Sequence, residues 1–391
     1  MKRITIGLVC LALVGCGEDD PTPSPALNNG NNGVNNVNNG NNGNNNGNNG
    51  VNNGNNGNNG NNNGNNGNNG VNNGNNGAVC EPLASDYSPG ADDAWPTCIS
   101  DDGEYHRFEQ AISSAGRVAG FESIADILWR NGVPSANDFL DAREVYAADE
   151  GLDSRVARRE DEHYPPVSDG EGGTLRCRDE GVPEMDPDRC VGPARIRTVL
   201  NGAFLDGGMG NNPSDNAARI EAALLWFFYV SAHKEATTCT TAAKDCDSSY
   251  AYYTGDFPRD AGIGLAGVVR ELDPEAHDRI WDGILAVRCW RDLDGGEEAS
   301  DLETRDRALA QLDTALLYGF STIVRTRLLR FGTGGGGWAF LQVAGPVLQR
   351  AAEEADPDAA AVLAAAWSSE DGTDVDVRSV TDALDTVFPC P

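Results

Sequence analysis

Apolar residues recur every three to four positions through most of the chain beyond residue 104. That spacing gathers one apolar stripe on a helix. From Glu104, the stretch EYHRFEQAISSAGRVAGFESIADILWRNG keeps the period and stops at Asn131-Gly132, a helix-ending pair. SANDFLDAREVYAADEG opens on Ser135 as a cap and closes on Gly151. SDNAARIEAALLWFFYVSAHKEATT, opened by Pro213-Ser214, is the most apolar segment, so Trp226 to Val230 must be well buried. DPEAHDRIWDGILAVRCWRDLDGG starts on Asp273 with Pro274 at the first helical position. The longest pattern begins at Ser300, with Glu303 completing a capping box, and runs through LLRFG. GGGGWAFLQVAGPVLQRAAEEA, DPDAAAVLAAAWSS and DVRSVTDALDTVF follow.

Alternating β-branched runs are nearly absent. The expected fold is therefore all-α, an irregular multi-helix bundle around one core. Residues 78–103 carry Pro, Gly and Asp throughout and read as an irregular extension before the helical domain of 78–391. Residues 152–193 are rich in loops.

The N-terminal part does not fit this pattern. Residues 1–15 place Lys2 and Arg3 before an apolar run from Ile4 to Val14, too short for a stable bilayer span, and read as a signal peptide. The run ends in LVGC, which matches a bacterial lipobox, so Cys16 is the expected lipidation site and 16–27 the lipid-anchor region. Residues 28–77 repeat NNG with scattered valines. Such a tract buries almost nothing and cannot offset its ordering entropy, so it reads as a disordered tether. As a flexible coil it would reach about 40 Å end to end.

Ten cysteines are present. Cys10 leaves with the signal peptide and Cys16 takes the lipid. The other eight (Cys80, Cys98, Cys177, Cys190, Cys239, Cys246, Cys289 and Cys390) are an even set in an exported chain, which predicts disulfides. Sequence neighbours suggest Cys80–Cys98, Cys177–Cys190 and Cys239–Cys246, which leaves Cys289 with Cys390. No CxxC occurs, so zinc-ribbon and thioredoxin chemistry are unsupported. The formal charge of −31 repels nucleic acid and anionic headgroups and attracts cations. Solubility alone also explains such a surface.

The densest chemistry lies in HKEATTCTTAAKDCDSSYAYYTGD, residues 233–256. On a continuous helix, His233 shares a face with Trp226, Tyr229 and Val230, while Glu235 points away. The two can meet only if the helix ends early near TTCTT; otherwise His233 edges an aromatic core and Glu235 is solvated. Asp245 and Asp247 flank Cys246 and complete a possible mixed N/O set for iron or another divalent metal. Tyr250, Tyr252 and Tyr253 read as packing. His106 with Glu109 in HRFE, His163 in EDEHYPP and His277 each lack further ligands by spacing. GTGGGGW has no Lys-Ser/Thr after it and reads as a joint between helices. There is no G-x-S-x-G or HExxH, so no catalytic centre is expected.

Taken in order, several segments resemble the low-iron-inducible, Fe-assimilating periplasmic proteins best known in algae. FESIADILWRNG is similar to the family's W-x-x-A-x-x-I-Y-x-x-G helix. VSAHKEA followed by CDSSYAYYTG resembles a helix followed by W-D-E-x-x-A-F-Y-x-G. LAVRCWRDLD resembles A-x-K-R-C-x-x-F, GGWAFLQVAGPVL resembles E-G-x-A-F-x-x-A-x-x-P, and FPCP falls where the family ends in L-G-I-x-C. The likeness spans about residues 104–391. It implies an extracytoplasmic, disulfide-bonded helical protein of iron acquisition with no catalytic step. By position, Asp247 matches the aspartate of W-D-E, and His233 and Glu235 match an acidic pair. Cys246 and Ser248 stand where the family has Trp and Glu, and Gly336 where it has Glu.

The combined expectation is a cell-envelope lipoprotein, held to the membrane through Cys16, whose helical domain binds iron or a similar cation through His233, Glu235, Asp247 and Asp245. The alternative is a non-catalytic structural or interaction lipoprotein with an acidic surface and no metal site.

Overall fold

The computed structural model describes residues 82–90, 93–148, 151–332 and 337–389. The expected signal peptide, the expected lipidation site Cys16, the NNG tract read as a tether, Cys80, Cys390 and most of the glycine joint lie outside the described residues. In chain order the α-helices are α1 (Ile112–Leu128), α2 (Ala136–Tyr146), α3 (Leu152–Val156), α4 (Val182–Met185) and α5 (Arg197–Gly208). They continue with α6 (Pro213–Thr238), α7 (Lys244–Thr254), α8 (Leu265–Leu272), α9 (Pro274–Leu293) and α10 (Leu302–Gly332). The last are α11 (Trp338–Ala344), α12 (Gln349–Ala355), α13 (Pro357–Trp367) and α14 (Val377–Val387). Among the described residues there is no strand, only an isolated antiparallel bridge between Ser168 and Thr174. The expected all-α bundle is what forms. No helix among the described residues is long and apolar enough to cross a membrane.

α6 is the axis of the bundle. It packs against α5, α7, α10 and α11, and every residue from Ile220 to His233 is buried. A helix apolar on all sides has nowhere to go but the core. Burying each large side chain there contributes about 1.5–3 kcal/mol. α9 lies along α10, and the two backbones come close at one point. A Cβ on Gly283 would stand 2.7 Å from Leu312 Cα, so no larger residue fits that crossing.

Local start signals hold where side chains can cap. Ser135 accepts from the Asp138 N–H while Asp138 returns a bond to the Ser135 N–H. The Asp273 carboxylate accepts from the N–H groups of Glu275 and Ala276, with Pro274 at the first position. At α10 the cap is Asp301, whose carboxylate accepts from the Thr304 N–H, rather than Ser300.

The first predicted helix begins eight residues late. Glu104 to Ala111 is held out of helix by tertiary bonds. Tyr105 Oη and the N–H groups of Phe108 and Glu109 all donate to Asp247. Arg288 stacks on Phe108 at 3.8 Å and donates to the His106 carbonyl. Three donors on one buried carboxylate outweigh the local helical period.

The cysteines partly redraw the expected pairing. Cys177–Cys190 and Cys239–Cys246 form as sequence proximity suggests. Cys98 bonds Cys289 across 191 residues, which overturns both Cys80–Cys98 and Cys289–Cys390. Chain neighbourhood misleads here because the extension folds back onto α9. Trp281 Nε1 donates to the Gly103 carbonyl, and Asp292 accepts from the Ile99 N–H.

Candidate functional site

The expected ligands in 233–247 do not assemble. α6 stays regular to Thr238, so His233 and Glu235 diverge as a continuous helix requires. Glu235 is buried and bonded at 2.7 Å to Arg159, whose guanidinium lies over the rings of Phe227 and Tyr252. Burial alone would raise the Glu235 carboxyl; Lys234 and Arg159 outweigh it and hold the group down to about 2. Asp247 accepts the three bonds from the 105–109 segment. Its carboxyl is pushed up by burial against those bonds. Asp245 is raised by burial and then by Glu235. Glu235 and Asp247 therefore serve two different local structures, and none of the three carboxylates belongs to the one group of three candidate ligands among the described residues.

His233 instead meets His163. The two imidazoles stack with centroids 3.9 Å apart and planes inclined by 8°. His163 comes from the irregular segment after α3, not from a helix. Arg189 fixes that segment by donating to Glu160, Glu162 and the carbonyls of Asp161 and Tyr164. The Asp161 N–H in turn donates to the Arg189 carbonyl at 2.8 Å. The Cys177–Cys190 disulfide clamps the chain next to Arg189. Arg159, two residues before Asp161, ties the same segment to α6 through Glu235. Staple, guanidinium and ion pair thus set where His163 stands.

The His163 ring spans two carboxylates. Nδ1 lies 2.5 Å from Asp161 Oδ1, and Nε2 lies 2.8 Å from Asp313 Oδ1 on α10. Burial opposes charge on this ring, but the bonds to Asp161 and Asp313 prevail and keep it protonated up to about 9. Both carboxyls are lowered in return, their bonds to His163 overcoming burial. His233 behaves oppositely. Burial and then the adjacent His163 charge push it down to about 4. Its Nδ1 is buried and has no hydrogen-bond partner.

His163, His233 and Asp313 can each offer one donor atom within 4.8 Å of the others, the one such group of three among the described residues. Donors around an ion with bonds near 2.0–2.2 Å lie about 3–4 Å apart, so closure needs a contraction of about 1 Å. The parallel rings point their lone pairs along parallel planes. Ligation by both therefore turns one ring out of the stack.

The remaining histidines serve the fold. His106 bonds the exposed Asp102, and His277 is buried between Tyr253 Oη and the Arg259 carbonyl. Tyr250, Tyr252 and Tyr253 are buried, as packing residues should be. Sequence reasoning found no ligand set for His163 because, apart from its neighbour Asp161, the groups it meets, His233 and Asp313, lie 70 and 150 residues away. One signal was available: the chain has only four histidines, and EDEHYPP surrounds one of them with three acids. No protein-family model, curated protein or solved structure matches the chain.

Proposed function

We propose that this chain is a lipid-anchored cell-envelope protein whose helical domain binds iron or a similar cation, in the service of iron acquisition, with no catalytic step. The observation that carries this reading is the convergence of His163, His233 and Asp313, with a buried and unpartnered Nδ1 on His233. An unsatisfied buried nitrogen costs about 1–3 kcal/mol, and an ion is one partner that would recover it. Imidazole with carboxylate is a donor set suited to iron, zinc and their neighbours. Asp161 stands ready as a further oxygen donor once His163 turns. The lipobox at Cys16 and the tether support display at the envelope, and the ordered likeness to Fe-assimilating proteins supports iron as cargo.

A second reading has its own observation. The Asp161–His163–Asp313 chain is already satisfied by a proton, so the group could serve as an internal fastener between the 159–164 segment, α6 and α10. Calorimetric titration of the full chain with ferrous, ferric and zinc ions separates the two. Saturable binding that His163→Ala abolishes supports the cation site. No saturable binding leaves the fastener.

A further inference from the structure

From Ala359 to Ser369 the chain carries no charged side chain, in a protein whose formal charge is −31. Those residues form most of α13. The inner face of the helix is spent on the core, where Ala360, Leu363, Ala366 and Trp367 are buried. The outer face shows Ala361, Val362 and Ala365 to solvent, Val362 by 37 %. A surface helix ordinarily turns charged or polar residues outward there. Two concavities flank this apolar ridge. One, of about 370 Å³, lies toward α14 and is lined by Val362, Ala365, Val375 and Val380. The other, of about 230 Å³, lies toward α12 and is lined by Pro346, Ala364 and Trp367. Trp367 is 6 % exposed, and its indole Nε1 is buried without a hydrogen-bond partner. Carboxylates edge both grooves: Glu353 on the α12 side, Asp374 and Asp376 on the α14 side. Among the described residues none of the three has a cationic partner, since Arg350 bonds Glu354 and Arg378 pairs with Asp382.

We propose that the outer face of α13, with its two grooves, docks a basic amphipathic helix of another protein. A ridge between two grooves is the shape that helix packing fills, and the small side chains of Ala361 and Ala365 let a second backbone come close. An apolar stripe on the incoming helix covers the ridge. Lys or Arg on either side of that stripe meets Glu353, Asp374 and Asp376. The orphaned indole N–H of Trp367 offers a donor to a polar side chain entering the α12 groove. Charge selects this occupant over the alternatives. A second copy of the chain brings the same charge of −31, and an anionic membrane surface is repelled by the same carboxylates. None of these side chains belongs to the His163–His233–Asp313 group, so the docking face stands or falls without the cation site.

The test titrates the full chain into a fluorescein-labelled helical peptide of leucine and lysine, about 14 residues long, with its leucines on one face. Fluorescence anisotropy is read at about 0.15 M salt, which screens attraction to distant charges. Binding should saturate at one peptide per chain. Ala365→Gln fills the α14 groove at an exposed helical position without changing charge and should weaken binding by about tenfold, the loss of one central contact. Asp374→Asn should weaken it severalfold, whereas Glu298→Gln, the same change of charge beyond α9, should leave it unchanged. No saturable binding to wild type, or binding that Ala365→Gln leaves intact, overturns the docking face. Equal losses for Asp374→Asn and Glu298→Gln overturn it too, because the peptide then reads only the overall acidity. Wild-type dimers in sedimentation that Ala365→Gln separates would assign the face to a second copy and overturn the basic partner.

Discussion

His163 and His233 lie face to face at 3.9 Å, yet one ring is held protonated up to about 9 and the other is neutral down to about 4. Two cationic rings at that separation would repel strongly, so the carboxylates of Asp161 and Asp313 decide which ring carries the proton. Only the His163 ring touches them both.

This asymmetry sets the pH dependence of the metal-free chain. His163 titrates near 6.5 when unfolded and near 9 when folded, so it contributes stability that is complete below pH 6.5 and lost as pH rises through 9. The span corresponds to about 3 kcal/mol. His233 falls from 6.5 to about 4 on folding, so the unfolded chain gains a proton first and stability declines from pH 6.5 toward 4. Urea midpoints measured across pH should peak near 6.5. A midpoint that climbs steadily to pH 9 would show that His163 is not the charged ring.

Asp313→Asn removes one of the two carboxylates on His163. The remaining Asp161 bond keeps the ring oriented, so the chain should fold with a loss on the order of 2 kcal/mol, the worth of one charged hydrogen bond. The His163 proton should be released at lower pH in two-dimensional imidazole spectra. An unshifted His163 titration would mean that Asp313 is not its partner in solution.

Glu235 was expected to be a ligand and is instead the counterion of a buried guanidinium. Glu235→Ala leaves Arg159 uncompensated under the aromatic rings and should cost about 3–5 kcal/mol. Replacing both partners, as in Arg159→Met with Glu235→Met, should recover most of that loss. Equal destabilisation by the single and double variants in chemical denaturation would refute the pairing.

The disulfides should differ in weight. Cys98–Cys289 closes a loop of 191 residues and Cys239–Cys246 one of 7. Loop-closure entropy assigns about 5 kcal/mol to the first and about 2 kcal/mol to the second. Paired Cys→Ser variants of each, compared by thermal unfolding, should therefore show the larger loss for the long bridge. The reverse order would indicate that the extension is poorly anchored on α9.

What was legible in the sequence was what neighbours along the chain decide. Ser135, Asp273 and Pro274 announce their helices because caps act within three residues. Trp226 to Val230 announce a buried helix because no face of that segment is polar. The tight Cys239–Cys246 loop follows from spacing alone. Long-range bonds were not legible. Nothing local says that Asp247 will draw residues 105–109 out of helix, or that Cys98 will reach Cys289. Nothing local places His163 beside His233 either. That contact depends on Arg189, the Cys177–Cys190 staple and the Arg159–Glu235 pair acting together, and although the staple joins chain neighbours, Arg189 reaches back 29 residues to Glu160 and Arg159 reaches 76 residues to Glu235. Of the residues expected as ligands, His233 alone belongs to the His163–His233–Asp313 group.

The most direct test is an anomalous-difference map from crystals of the full chain soaked with ferric iron. One peak should stand among His163, His233 and Asp313, with one imidazole turned out of the stack. A map with no peak there, or with iron only in the 239–247 loop near Asp245 and Asp247, would contradict the site.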